Sequence, residues 1–337
     1  MQLEKKNAST LWLASIGFVA QLCWATVACA QAAPNVPTLP TLAANNVPPL
    51  GIPQIGSQPA DTTRVTIDPN QLVLNAIHQS VWGPAYGCKV YQRSRAYDQQ
   101  VIMSGDYKTS GLGTGQFRRV TRVSSGETTL DTIEVSDGRL MYTQYGLEES
   151  PKRVNLDQVR QMLGNSIHNA GERPEVNFYL AVGGHPELLR SLYHRYFWYK
   201  AVTGQIRGFD VWQLVGRLRT EPPKLAGNTD FDAQTVGIPA TTSNLPSEVR
   251  LTLGRSAFAA YFPYMVEYYQ RTKRVEGQSD TLELLSVLEH TELSHTVTIV
   301  DKDFVFKVQD GVKNIDDETI LYLPKVALAD RAMRLGQ

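Results

Sequence analysis

Six histidines (His78, His168, His185, His194, His290 and His295) and three cysteines are the side chains with which this 337-residue chain would bind a metal or attack a substrate. Their spacing argues against both. His290 and His295 are an odd number of residues apart on a strand-like stretch, so they face opposite sides. His185 and His194 sit about half a turn out of register on a helix-like stretch. No H-E-x-x-H motif or paired-cysteine motif exists, so the sequence implies neither a metal nor a cofactor. A G-x-S-x-G elbow and a partnered S-x-x-K are equally missing, and no enzyme is expected.

The remaining chemical motifs dissolve on inspection. Gly111-Leu-Gly113-Thr-Gly115 precedes a strand rather than a helix and lacks a following Lys-Ser/Thr, so it reads as a turn and not a phosphate loop. Asp301 with Asp303, and Asp316-Asp317-Glu318, lack the alternating oxygen ligands and central glycine of a calcium loop. They read as solvated turns.

Composition and address narrow the class. The 33 basic and 33 acidic residues balance, and 42% of the chain is hydrophobic. That is globular composition with no electrostatic footprint for nucleic acid. Lys5 and Lys6 precede an apolar run from Leu11 to Ala30, the layout of a secretory signal over residues 1–32. Cleavage falls after Ala28-Cys29-Ala30 or Ala30-Gln31-Ala32. An uncleaved anchor and a lipid-modified Cys29 are the alternatives. Export to the periplasm or cell envelope is the expectation. Cys23 and Cys29 leave with such a signal, and Cys88 remains as a lone, buried, inert thiol.

The elements follow in order. Residues 33–63 hold Pro34, Pro37, Pro40, Pro48, Pro49, Pro53 and Pro59, an extended linker. Residues 64–337 form the single folded domain, with a polar loop insertion at about 221–245. Asp68-Pro69 caps a helix whose Leu72, Val73, Ala76, Ile77 and Val81 recur at helical spacing. Strands are expected over 88–97, 99–108, 117–124 and 128–136, separated by Gly- or Ser-containing turns. At Asp137-Gly138 a tight turn pairs Val135 with Leu140 and Ile133 with Tyr142, and puts all four on one apolar face. Thr132, Glu134, Arg139 and Thr143 take the other. One helix begins at Asn155, with Gln158 completing a capping box, and a second opens at Pro186. Strands return at 199–206, 211–219, 249–253, 263–272, 282–293, 295–300, 304–308 and 320–323. Gly208 and Asp310-Gly311 are turns, and a short helix runs near 326–334.

Taken together, Ser136-Asp-Gly-Arg-Leu-Met-Tyr142, Trp212-Gln-Leu-Val-Gly-Arg-Leu218, Pro263-Tyr-Met-Val-Glu-Tyr268 and Phe304-Val-Phe306 resemble the LolA-like group of exported carriers. The resemblance spans roughly Asp68 to Leu323; the proline-rich leader and the 221–245 insertion depart from the family pattern. It implies an α+β fold in which a strongly curved antiparallel sheet, an incomplete β-barrel, wraps around helices. The implied function is non-enzymatic: an apolar cavity shields an acyl chain or other lipid, with an acylated protein or a membrane-associated donor or acceptor as partner. Ile133, Val135, Leu140, Tyr142, Trp212 and Leu214 are the candidate cavity residues. Phe117-Arg118-Arg119 resembles the segment bearing the family's cavity arginine, which makes Arg118 and Arg119 candidate polar contacts. Relatives of this fold also act as envelope stress sensors, so a scaffold that binds a protein partner through its concave face is the alternative.

Overall fold

The computed structural model describes residues 68–96, 99–146, 150–168, 180–219, 245–272, 281–308 and 314–322. The expected signal, Cys29, the proline-rich linker, nearly all of the 221–245 insertion, the Asp310-Gly311 turn and the helix near 326–334 lie outside the described residues.

Helix α1 (Pro69–Trp82) starts where its chemistry dictates. The Asp68 carboxylate accepts from the Asn70 N–H at 2.9 Å, Pro69 takes the first helical position, and Gly83 ends it. Five antiparallel strands follow: β1 (Tyr86–Ala96), β2 (Gln99–Thr109), β3 (Gln116–Ser125), β4 (Thr128–Asp137) and β5 (Leu140–Tyr145). The short β6 (Lys152–Asn155), not evident in the sequence, pairs with β5. Helix α2 (Leu156–His168) is capped by Asn155, whose side-chain oxygen accepts from the Gln158 N–H. Helix α3 (Gly184–Arg195) begins two residues before Pro186. Then come β7 (Tyr196–Ile206), β8 (Phe209–Leu218), β9 (Glu248–Gly254), β10 (Pro263–Thr272), β11 (Thr281–Ser294) and the two-residue β12 (Asp316–Asp317).

The twelve strands among the described residues form one open sheet in the order β12-β6-β5-β4-β3-β2-β1-β11-β10-β9-β8-β7. Every ladder is antiparallel except β12–β6. The sheet is the curved, unclosed antiparallel wall that the sequence implied. Helices α1 and α3 pack on each other and on β7, and α3 also reaches β3. Leu72, Val73, Ile77, Leu188, Leu189 and Leu192 are buried on them, against Leu214, Leu251, Val266 and Trp198 of the sheet. The face of the sheet that meets these helices is its inner face. No described helix is long and apolar enough to cross a membrane.

The C-terminal third differs from the alternation in its sequence. Residues 296–300 and 305–308 form no strand, and Asp301–Phe304 is a 3-10 turn. This segment lies across the outer face instead. Its turn packs on β3 and β4, Phe304 is fully buried, and Phe306 stacks on Tyr142 with ring centroids 4.8 Å apart. Residues 319–322 are helical rather than a closing strand, and β12 takes the edge position. Arg153–Asp317 and Lys152–Glu318 ion pairs hold it there.

The β4–β5 turn is longer than a two-residue loop. Ser136 pairs with Met141 and Val135 with Tyr142, because the Asp137 carboxylate accepts from the N–H groups of both Arg139 and Leu140. The shift is by two residues, so the alternation of faces is preserved. Gly138 has φ 95, and a Cβ there would lie 2.3 Å from the Thr114 carbonyl oxygen. Gly138→Val is therefore expected to cost at least about 2 kcal/mol of stability. Urea unfolding of the variant beside the wild type checks this; an unchanged midpoint would contradict the turn.

Candidate functional site: the inner wall

The side chains facing α1 and α3 are set by strand parity. A Cβ on Gly183 would meet the Phe117 ring at 2.6 Å and the Met141 sulfur at 3.2 Å, so α3 enters with its backbone against β3 and β5. A positive φ of 75 at Gly183 makes that entry possible. Tyr107 lies directly opposite Arg119, and Arg119 opposite Glu134, so these residues share the inner face with Phe117 and Met141. Cys88 continues the row on β1, opposite Tyr107.

The predicted residues divide between the two faces. Leu214 is fully buried in the inner core, and Trp212 packs against that core half-buried. Ile133, Val135, Leu140 and Tyr142 share one face as read, but it is the outer one. Tyr142 stacks under Phe306, Val135 is buried directly opposite it in the ladder, and Ile133 and Leu140 are half-buried. The structure therefore does not bring these four together with Trp212 and Leu214. Alternation fixes which residues share a face, but not which face meets the helices. The two arginines also part: Arg118 is exposed on the outer side, while Arg119 points inward.

Inside, Arg119 and Glu134 form an ion pair at 2.7 Å, with side chains 13% and 6% exposed. Burial pushes the Glu134 carboxyl up, against the opposing pull of Arg119. Around the pair lies a cluster that the sequence reading passed over. The Tyr86 hydroxyl is 2.8 Å from His185 Nδ1, and the Tyr107 hydroxyl accepts from the His185 backbone N–H at 3.3 Å. The His185 ring stacks on Tyr107 at 3.8 Å and lies 4.3 Å from His290. His290 Nδ1 bonds the Pro263 carbonyl, which makes it the protonated ring nitrogen.

Burial sets the electrostatics of the cluster. It holds His185 well below the ordinary histidine range and His290 down at about 4, with the Arg119 charge adding to both shifts. It pushes Tyr86, Tyr107 and the Cys88 thiol up, so all three stay neutral. At neutral pH the cluster thus consists of neutral imidazole, phenol and thiol groups beside the Arg119–Glu134 ion pair.

A signal for part of this cluster was present in the sequence. Gly126-Glu127 is a two-residue turn between Ser125 and Thr128, and counting back from it sets Arg119 opposite Glu134. His185 and His290 meet across 104 intervening positions, and no local pattern announces that.

Between the end of α1, residues 111–117 and residues 180–186 lies a cavity of about 20 Å³, lined by Val81, Tyr107, Phe117, Leu180, Val182 and Pro186 among others. That is room for about one water molecule. Among the described residues no group of three or more His, Cys, Asp or Glu side chains is placed to hold a metal.

Truncating one member of the ion pair leaves the other charge buried alone. Arg119→Met should cost about 3–5 kcal/mol, and adding Glu134→Leu should recover most of it. Denaturant unfolding of the two single variants and the double variant checks this. Additive losses would show that the pair is not coupled.

No protein-family profile matches the chain, and no curated protein matches it. Solved structures do. A LolA superfamily protein from Nitrosomonas europaea is 12% identical, with 71% of this chain and 99% of that one covered, at a TM-score of 0.27. MucB is 12% identical over 73% of this chain and 65% of its own, at 0.36. A putative outer membrane lipoprotein-sorting protein domain from Vibrio parahaemolyticus is 10% identical over 70% and 95%, at 0.29. At these scores the likenesses carry no weight of their own beside the strand order and the helix-covered inner face.

Proposed function

We propose that this chain is an exported binding protein that shields a hydrophobic ligand, an acyl chain or similar lipid, against the inner wall of its open sheet. The observation that supports this is how the inner face is covered. A second sheet would bury it permanently, but here two short helices, α1 and α3, lie on it. Apolar area leaving water contributes about 25 cal/mol per Å², so ligand and helices can compete for one surface without covalent chemistry. The ligand wall is then Tyr107, Phe117, Met141, Val182 and Leu214, with Trp212 at its margin and Arg119 as the polar contact. Ile133, Val135, Leu140, Tyr142 and Arg118 lie outside it. The folded domain would follow a cleaved signal and a proline-rich tether. A membrane-associated donor or acceptor, or an acylated protein, would be its partner.

One observation favours a second reading. The cavity at the α1–α3 end of the wall holds about 20 Å³, far less than an acyl chain needs, so the helices close the wall at that end. A scaffold that recognises a protein segment through the same face would look alike.

Native mass spectrometry of the protein taken from a membrane fraction separates the two readings. The lipid reading expects a bound mass that organic solvent removes. It also expects Phe117→Ala to weaken uptake of a fluorescent fatty acid about tenfold, while Tyr142→Ala leaves it unchanged. A lipid-free protein that both variants affect equally would contradict it.

A further inference from the structure

Two imidazoles sit inside this wall, where a hydrophobic surface has no need of them. His185 is 3% exposed and His290 is 1% exposed, and their rings lie 4.3 Å apart. One belongs to the entry of α3, the other to the middle of the sheet. They join a helix that lies on the sheet to the sheet itself.

We propose that His185 and His290 form an acid-sensitive catch, which holds the N-terminal end of α3 on the wall at neutral pH and releases it on acidification. The proposal stands apart from the identity of any ligand. Its basis is the set of groups facing the two rings. From β1 this is Tyr86, from β2 Tyr107 and from β3 Arg119, with Cys88 of β1 and Glu134 of β4 behind them as neighbours of Tyr107. His295, which follows β11, lies beyond Tyr86 at 6.2 Å between ring centroids. On α3 itself the Glu187 carboxylate is occupied, accepting from the Gly183 N–H and the Tyr322 hydroxyl.

At neutral pH the Arg119 and Glu134 charges cancel and both imidazoles are neutral. Protonating both rings places two like charges in contact beside the Arg119 guanidinium, in a site that water does not reach. A protonated His185 ring only donates, so Tyr86 can then only accept at the Nδ1 contact, whichever group donates there at neutral pH. Burial also favours the neutral form of Glu134, so acid removes the countercharge as it adds the cations. The sheet cannot relieve this, because His290 is paired with Val90 in the β1 ladder and its Nδ1 is bonded to the Pro263 carbonyl. Helix α3 can, because its entry rests on Gly183-Gly184, a hinge free of side chains.

The sign of the linkage agrees. Both histidines titrate lower in the fold than in the unfolded chain, so their contribution is full above about 6.5. It is lost as pH falls from there through about 4, the value for His290.

Hydrogen exchange of the full chain tests this at about pH 7 and about pH 5, corrected for the intrinsic pH dependence of exchange. Protection across Gly183–Leu189 should fall about tenfold at the lower pH, while the amides of β8 and β9 keep theirs. In His290→Gln most of that response should disappear. Equal loss of protection everywhere, no loss at Gly183–Leu189, or a variant with the wild-type response would each overturn the catch. Should His290→Gln not fold, the wild-type contrast between α3 and β8–β9 decides alone.

Discussion

An open sheet with an apolar inner face cannot stay in water uncovered, and the burial of that face beneath α1 and α3 is the constraint on which the rest depends. The close approach of α3 requires bare backbone at Gly183 and Gly184, since a side chain would collide with Phe117 or with the Tyr107 hydroxyl. The same approach brings His185 onto Tyr107 and encloses Arg119 with Glu134. Hydrophobic contact closes the wall, and the polar groups were carried inside with it. Each had then to find a partner there.

That arrangement divides the molecule into a stable part and a conditional one. The ladders that join β11, β1, β2, β3 and β4 are long, broken only by a register shift at Gly87–Lys89, and neighbouring strands fix one another. The cover is two short helices and a glycine hinge, and a buried polar cluster makes its closure depend on charge state. Interiors whose polar groups must all be satisfied at once tend to switch between discrete arrangements rather than deform gradually. Under the proposed function, the ligand reaches the wall only when the cover moves.

Much of the architecture was legible because it is written locally. Asp68-Pro69, Asn155 with Gln158, and Gly208 each mark an element boundary through one short-range hydrogen bond or one permitted φ. The alternation of Ile133, Val135, Leu140 and Tyr142 correctly gave four residues on one face. Which face met the helices was not legible, since both faces of this hairpin are covered, one by α3 and the other by Phe304 and Phe306. The polar side chain of Glu134 suggested an outward face, and its partner Arg119 reversed that. The stretch 304–308 alternates like a strand because one side of it rests on the sheet, yet it forms no ladder there. His185 and His290 were discounted for want of local spacing, and their contact is a product of the whole topology.

The central claim is that a ligand reaches the inner wall by taking the place of the helices that cover it. Hydrogen exchange at neutral pH, with and without a long-chain fatty acid, tests this most directly. The account predicts faster exchange in α3 when the ligand is bound, together with slower exchange along β2 and β3, whose inner side chains the ligand would then cover. Exchange that is unchanged in α3, or altered only along the β6–β12 edge or under the 301–306 segment, would contradict it.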